Sequence, residues 1–311
     1  MMKRIKKMIK SIPSLHSMLY FARVRYRMWY YGRIPIEQYP KALKRWYLRR
    51  TGEILDLDNP KTFNEKIQWL KLNDSTPEKT VLADKYRVRA WVANKIGDEH
   101  LIPLLGVWDN ANDIDFEKLP NQFVLKATHS SGWNIIVRNK DDLNVQKTRK
   151  TINRWLKLHI AFQSGFELHY KNIPPAVIAE KYIENVEGDL YDYKFGCFNG
   201  EPKYCLVDMD RHTNHKRSIR NLNFDPLPFT LNLVSEAFSN ADTMITKPEQ
   251  YDQMITLARS LSEGFKYVRV DFYNVKGIIY FGEMTFTSGS GTYVIQPREY
   301  ETLLGDMIEL F

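Results

Sequence analysis

Two carboxylates near the C-terminal end, Asp271 and Glu283, are spaced so that a hairpin can bring them together as ligands for a hard cation. The run Arg269-Val270-Asp271-Phe272-Tyr273-Asn274-Val275 is followed by Lys276-Gly277, then by Ile278-Ile279-Tyr280-Phe281-Gly282-Glu283-Met284-Thr285. Both halves read as strands around a turn. Side chains alternate along a strand, so Arg269, Asp271 and Tyr273 share one face of the first, and Phe281, Glu283 and Thr285 one face of the second. A three-residue loop, Lys276 to Ile278, pairs Val275 with Ile279 and sets Asp271 opposite Glu283 and Arg269 opposite Thr285. A two-residue loop slips the pairing by one and turns Glu283 away. The three-residue loop is the expectation. Facing carboxylates with Cβ atoms about 5 Å apart repel unless a cation lies between them. Mg²⁺ suits such a pair, because it takes oxygen donors and keeps positions for water and phosphate. Arg269 beside them can hold a phosphate or offset transferred charge. A surface hairpin with its acids in water is the bland alternative, and the apolar and aromatic neighbours Phe272, Tyr273, Ile278, Ile279 and Phe281 weigh against it.

A second group lies in the middle of the chain. Lys126 interrupts the apolar run Phe123-Val124-Leu125-Lys126-Ala127, where a lysine is costly unless its charge is used. His129-Ser130-Ser131-Gly132 follows, and its small side chains let backbone N–H groups approach an anion. Together they suggest a grip on triphosphate, although the Gly-x₄-Gly-Lys-Ser/Thr order is absent. An edge-strand lysine snorkelling to solvent would leave the same local pattern. Glu180-Lys181-Tyr182-Ile183 ends a strand and enters a loop, where backbone groups can read a base or the pair can simply be solvated. Asp192 and Lys194 share a strand face, as a cross-strand ion pair worth about 0.2–1 kcal/mol would.

The polar stretch from Asp208 to Arg217 stays open three ways. Asp208-x-Asp210 matches the metal–nucleotide-sugar motif of a glycosyltransferase. Arg211, His212 and Arg217 could bind an acidic substrate. The stretch could equally be a solvated loop. No histidine and carboxylate set has convincing metal spacing. Cys197 and Cys205 fall on the two strands of one hairpin, with position 197 opposite 202, so they read as core thiols rather than a cross-link.

These residues need elements to hold them. Thr62 and Glu65 form a helix-start signature for a helix running through Leu72. Asp84 is a suitable N-cap for a helix over 85–96, ended by Gly97. Residues 101–107 read as an extended connector. Strands are expected over 123–128 and 133–138, a helix over 145–158, and a strand over 176–183. Asn199-Gly200 turns a hairpin of 190–198 with 201–209. A helix begun by Pro248 covers 248–263. Hairpins rather than a βαβ rhythm give an α+β class with antiparallel sheet.

The 311 residues and 43% hydrophobic content support a real core and argue against global disorder. Two cysteines cannot make a disulfide framework, so a reducing compartment is expected. Residues 1–50 carry 14 Lys/Arg against one acid, Glu37, which leaves the remainder mildly acidic. Arginines alternate there with Tyr20, Phe21, Tyr26, Trp29, Tyr30 and Tyr31. Such a helix either lies on an anionic lipid surface or packs by its aromatics on the body. No nucleic-acid motif accompanies it, and no nucleic-acid partner is expected. Neither a signal peptide nor a membrane span is evident, so a cytoplasmic location is expected.

In order, the motifs resemble the ATP-grasp superfamily, and more closely its TupA-like family, named for teichuronopeptide biosynthesis. The matching text is Thr62-Phe63-Asn64-Glu65-Lys66, Ala83-Asp84-Lys85-Tyr86-Arg87, Phe123 to His129, Ala179 to Ile183, Asp192-Tyr193-Lys194-Phe195, Asp210-Arg211, Arg269 to Tyr273 and Phe281 to Phe286. The resemblance covers roughly residues 60–291. It implies an ATP-grasp fold, with two α+β subdomains whose antiparallel sheets clamp a nucleotide, behind a basic helical N-terminal segment. The implied divisions are 1–58 for that segment, 59–120 for a helical part, 121–183 for the smaller subdomain and 184–311 for the larger one with the metal site.

Implied roles follow position by position. Lys85 and Lys126 would be the nucleotide lysines, and His129, Ser130, Ser131 and Gly132 the phosphate-covering loop. Glu180, Lys181 and Ile183 would hold adenine, and Lys194 would face the nucleotide. Asp271 and Glu283 would bind Mg²⁺, with Thr285 standing where many relatives have Asn. Arg269, Lys126 and Arg211 would be catalytic, and Ser288-Gly289-Ser290-Gly291 would border the acceptor pocket. The implied activity is ATP- and Mg²⁺-dependent ligation of a carboxylate to an amine through an acyl phosphate. The implied substrates are an acidic or lipid-linked glycan and an amino acid or other small amine, with residues 1–50 meeting the inner face of the plasma membrane.

Overall fold

Alternation and turn chemistry build two sheets, antiparallel except for one short parallel edge strand at 239–240, whose polar faces meet across a cleft. In the computed structural model, the described residues are 13–183, 190–209, 215–234, 239–240 and 245–310. The chain opens with helices α1 (Pro13–Tyr31) and α2 (Tyr39–Thr51). Thr62 then starts α3 (Phe63–Asn73) with a complete capping box: its hydroxyl accepts from Glu65 N, and the Glu65 carboxylate accepts from Thr62 N at 3.0 Å. Helix α4 (Pro77–Leu82) and α5 (Val88–Ile96) follow. Asp84 accepts from the Tyr86 and Arg87 amides at 2.9 and 3.2 Å, but residues 84–87 form a turn and the helix begins later than expected.

The smaller sheet joins β1 (Leu104–Trp108), β2 (Phe123–Ala127), β3 (Asn134–Val137) and β4 (Val177–Lys181) in the order β1-β4-β2-β3. Strand β1 replaces part of the expected connector at 101–107, so this sheet draws a strand from ahead of residue 121. Helix α6 (Val145–Trp155) buries Ile152 and Trp155 in the same core as Phe123, Leu125 and Ala127.

The larger sheet contains β5 (Asp192–Phe198), β6 (Glu201–Met209), β7 (Lys216–Arg220) and, beyond β8 (Thr230–Leu233), the short β9 (Ser239–Asn240). Helix α7 (Tyr251–Ser262) leads to β10 (Tyr267–Val275) and β11 (Ile278–Thr285), and the order is β11-β10-β5-β6-β7-β9. Strand β12 (Tyr293–Gln296) pairs with β8, and α8 (Glu299–Asp306) closes the chain. Asn199 and Gly200 both have positive φ, as a two-residue hairpin turn requires, and Cys197 lies opposite Pro202 as expected.

The two faces of the larger sheet have different fates. Phe195, Cys197, Cys205, Val207, Val270 and Phe272 pack in one core with Tyr251, Met254, Ala258 and Leu261 of α7. On the other face, Phe198, Tyr204 and Tyr267 pack with Phe63 and Ile67 of α3. Further along that same face, Lys194, Asp208, Arg269 and Asp271 line the cleft.

The β10–β11 hairpin departs from expectation twice, and the departures cancel. Its loop has two residues, because Lys276 adopts φ 52° ahead of Gly277 at φ 83°, and Val275 pairs with Ile278. Left alone, that register would turn Glu283 away from Asp271. A β-bulge at Gly282 restores it: Phe272 pairs with Phe281, and Asp271 pairs with Glu283. Gly282 permits the bulge, since a Cβ there would lie 3.0 Å from the Asp271 carbonyl oxygen.

Candidate active site

The bulge puts two carboxylates on the wall of a cleft of about 490 Å³ between the sheets. Asp271 is buried and Glu283 is one-third exposed at its side chain. Arg269 binds Asp271 in a bidentate fork, Nε to Oδ1 at 2.7 Å and Nη2 to Oδ2 at 2.6 Å. The same Nη2 lies 3.4 Å from Glu283 Oε1 and donates to the Thr285 hydroxyl at 3.1 Å. Burial raises the Asp271 carboxyl to about 6, against the opposing pull of Arg269. One arginine therefore stands between two acids, and the buried acid keeps a charge that its surroundings disfavour.

Such a pair fits a hard divalent cation. The donors are carboxylate oxygens, they are cross-strand neighbours, and they face open volume where phosphate and water can complete a shell. Among the described residues no cluster of three or more His, Cys, Asp or Glu side chains forms a protein-only cage. That arrangement matches Mg²⁺, which uses one or two carboxylates plus substrate phosphates. Thr285 donates its hydroxyl toward Glu283 at 3.4 Å while accepting from Arg269, so it buttresses the guanidinium and is not among the cleft-lining residues.

Lysines face these acids. Lys85 lies 3.6 Å from Glu283 Oε2 and donates to the Ser130 carbonyl at 2.7 Å. Alternation on β2 points Phe123, Leu125 and Ala127 into the core and Lys126 into the cleft. Lys126 pairs with Glu180 at 2.6 Å, and Glu180 also pairs with Arg89 at 3.0 Å. Glu180 is thus a buried anchor for two cations rather than a lining residue. Lys181 is exposed, with its amide bonded to the Pro103 carbonyl, and Ile183 is half-buried beyond the end of β4. Arg89 was not among the expected site residues. Its partner Glu180 lies 91 residues away, so no local spacing announced it.

The loop after β2 divides. Ser131, Gly132 and Trp133 line the cleft. His129 and Ser130 are fully buried, contrary to a place on the phosphate-covering surface. The His129 ring packs edge-on to Trp133, with Nε2 3.0 Å from the Trp155 carbonyl, and burial lowers its pKa. Strand periodicity ends at Ala127, so it could not give that direction.

Lys194 lines the cleft floor, bound to Asp208 and 4.0 Å from Asp192. Asp208 also accepts from Arg217 at 2.8 and 3.2 Å and from His215 at 2.9 Å. Burial works to raise the Asp208 carboxyl, but Lys194 and Arg217 overcome it and hold it well below the usual carboxylate range. An acid already neutralised by two cations has little left for a metal–sugar site. Asp210, Arg211 and His212 lie outside the described residues, so the catalytic expectation for Arg211 does too.

Gly289 and Tyr293 complete the wall. From Gly289 to Gly291 the chain runs through φ 56°, 53° and 59°, with Ser290 in the middle. Gln68 and Lys71 of α3 hold this turn by bonds to the Ser290 and Gly291 carbonyls at 2.6 to 3.0 Å.

Comparison with known proteins gives a family. Three solved structures are similar in fold to this chain. D-alanine–D-alanine ligase from Bacillus anthracis complexed with ATP is 17% identical over 73% of this chain and 65% of that one, with a TM-score of 0.44. D-cycloserine synthetase DcsG is 14% identical over 74% and 70%, at 0.41. N5-carboxyaminoimidazole synthetase from Staphylococcus aureus complexed with ADP is 13% identical over 66% and 44%, at 0.37. The chain thus spans less than two thirds of the first and third. No curated protein matches its sequence. Residues 65–309, most of the chain and all of the cleft described above, match the family described as TupA-like ATPgrasp, and the protein belongs to that family.

Proposed function

We propose that the protein is an ATP- and Mg²⁺-dependent ligase that joins a carboxylate to an amine through an acyl phosphate. One observation supports this reading above others: Asp271 and Glu283 face each other across the bulge, with Lys85 and Lys126 on the same cleft. Asp271 and Glu283 hold Mg²⁺, which supplies charge neutralisation on the triphosphate. Lys126 and Lys85 bind phosphate oxygens from the smaller sheet, and Ser131 and Gly132 bring backbone N–H groups over them.

The substrate carboxylate attacks the γ-phosphorus, the bridge to the β-phosphate breaks, and ADP leaves. Arg269 is already poised between the acids and shifts part of its charge to the transferred phosphoryl group. The amine nitrogen then forms a bond to the acyl carbon, phosphate departs, and nitrogen loses a proton. Holding acid, phosphorus and amine in one cleft supplies much of the acceleration. The acid partner is a uronic-acid residue of a cell-surface polysaccharide or its lipid-linked precursor, and the amine is an amino acid. The reaction takes place at the cytoplasmic face of the plasma membrane.

Two measurements test this reading. ADP release is screened with uronic-acid glycans against the common amino acids, and release that needs both partners is expected. Thermal stabilisation by ATP·Mg²⁺ is expected in the wild type and in Asp208→Asn relative to its own baseline, but not in Asp271→Asn. Stabilisation by nucleotide sugars instead would overturn the ligase.

A further inference from the structure

Helix α1 has two faces, and among the described residues one of them packs on the rest of the fold. Val24 is buried, the Tyr20 hydroxyl accepts from Trp133 Nε1 at 3.2 Å, and the Phe21 ring lies 5.6 Å from that of Trp133. Arg27 bonds the Gln163 carbonyl, and Tyr31 stacks edge-on to Phe166 at 4.9 Å. These contacts fasten α1 beside the loop that borders the cleft.

The other face is exposed. Met18, Ala22, Tyr26, Trp29 and Tyr30 fall at helical spacing on one side of the helix, and Arg33 follows just past its end. Tyr26 and Trp29 are 59% and 52% exposed, and the rings contact one another, at 5.9 Å for Tyr26 and Tyr30. Arg23, Arg25 and Arg33 are exposed alongside, and Arg33 stands over the Trp29 ring at 4.7 Å. No acid occurs anywhere in the sequence before Glu37. Helix α6 next to it is also basic, with Lys147, Lys150 and Arg154 on it and Lys157 just past its end, and Arg154 covers the Phe21 ring at 5.1 Å.

We propose that the outer face of α1 docks on an anionic lipid surface, with Tyr26, Trp29 and Tyr30 at headgroup depth and Arg23, Arg25 and Arg33 on lipid phosphates. The composition is that of an interfacial helix. Tyr and Trp have an apolar body and a polar tip, and arginines pair with phosphate. Among the described residues no helix is long and apolar enough to cross a membrane, so α1 lies flat. The cleft loop then sits about one helix diameter, roughly 10 Å, from the headgroups. That distance serves an acid presented on a lipid carrier, although docking itself stands apart from the ligase chemistry.

Co-sedimentation of the full chain with phosphatidylcholine vesicles, with and without phosphatidylglycerol, tests the proposal. Binding to the anionic vesicles alone is expected, weakening as salt rises. The Arg23→Gln/Arg25→Gln/Arg33→Gln variant should bind on the order of 100-fold more weakly. The Tyr26→Ser/Trp29→Ser/Tyr30→Ser variant should also lose at least about tenfold, by the apolar area withdrawn. Unchanged melting temperatures confirm that both variants fold. Three results would overturn the proposal: no vesicle binding by the wild type, binding by both variants as tight as that of the wild type, or a dimer in light scattering that the aromatic variant dissolves, since a second copy would then cover the face. Capture by a soluble polyanion without vesicle binding counts against it equally.

Discussion

Two acid–base clusters lie on one face of the larger sheet, and they differ in how completely their acids are neutralised. At Asp208 a single carboxylate accepts from Lys194 and Arg217, with His215 as a third partner. Its charge is stabilised and its pKa depressed. At Asp271 and Glu283, two carboxylates share Arg269, with Lys85 at 3.6 Å from the outer one. The buried member is pushed up to about 6. The same residue types therefore make an anchor in one place and, in the other, a pair of acids open to a further cation. Among the described residues, what separates them is that two cations hold Asp208 directly while Asp271 and Glu283 share one, together with the open volume in front of Glu283.

The comparison breaks most sharply at Glu283. Glu283→Gln keeps the size and a carbonyl acceptor while removing one of two charges. ADP release should fall on the order of 10³-fold, the scale on which a preorganised charge-stabilising group acts. The melting temperature should stay within about 2 °C, because a partly exposed acid contributes little to stability. A fall in stability with activity intact would make this pair an anchor like Asp208.

Asp208→Asn sharpens the comparison from the other side. It takes the shared carboxylate away from buried Lys194 and Arg217, and removing one partner of a buried pair costs about 3–5 kcal/mol. Denaturant unfolding measures it. The sign with pH follows from the depressed pKa. The unfolded carboxyl, near 4, binds protons before the folded one does, so the wild type holds its full advantage above about pH 4 and loses it as pH falls through the depressed value. The gap between wild type and variant should close on the acid side and stay constant toward neutrality. A gap that widened in acid would mean Asp208 is not held ionised by its neighbours.

Much of this arrangement was legible in the sequence, for physical reasons that can be named. Alternation fixed the direction of Lys126, and the Asn199-Gly200 turn fixed the first pairs of β5 with β6, Phe198 with Glu201 and Cys197 with Pro202, beyond which a bulge shifts the register by one. The facing of Asp271 and Glu283 was reached through the wrong loop: a three-residue turn without a bulge and a two-residue turn with one give the same pairing. Lys276 at positive φ and the bulge at Gly282 leave no trace in a hydrophobic pattern. The direction of His129 was equally hidden, because the chain has left the strand there and the packing of Trp133 and Trp155 decides it. Glu180 reads from sequence as an ordinary strand-end acid. Its pairing with Lys126 and Arg89 depends on a neighbouring strand and a distant helix.

Thr285 carries the smallest expected effect and the finest distinction. Its hydroxyl accepts from Arg269 at 3.1 Å and reaches Glu283 at 3.4 Å, so it links the arginine to the outer acid. Thr285→Val keeps the shape and removes both contacts. One hydrogen bond to a charged group contributes about 1.5 kcal/mol or somewhat more, which corresponds to a roughly tenfold fall in kcat. If Thr285 only steadies Arg269, the loss falls on kcat while the concentration of Mg²⁺ giving half-maximal rate stays the same. If its oxygen is itself a ligand, that Mg²⁺ requirement rises in step with the loss. A Mg²⁺ titration of ADP release in the wild type and Thr285→Val separates the two, and the hydrogen bond from Arg269 favours the first.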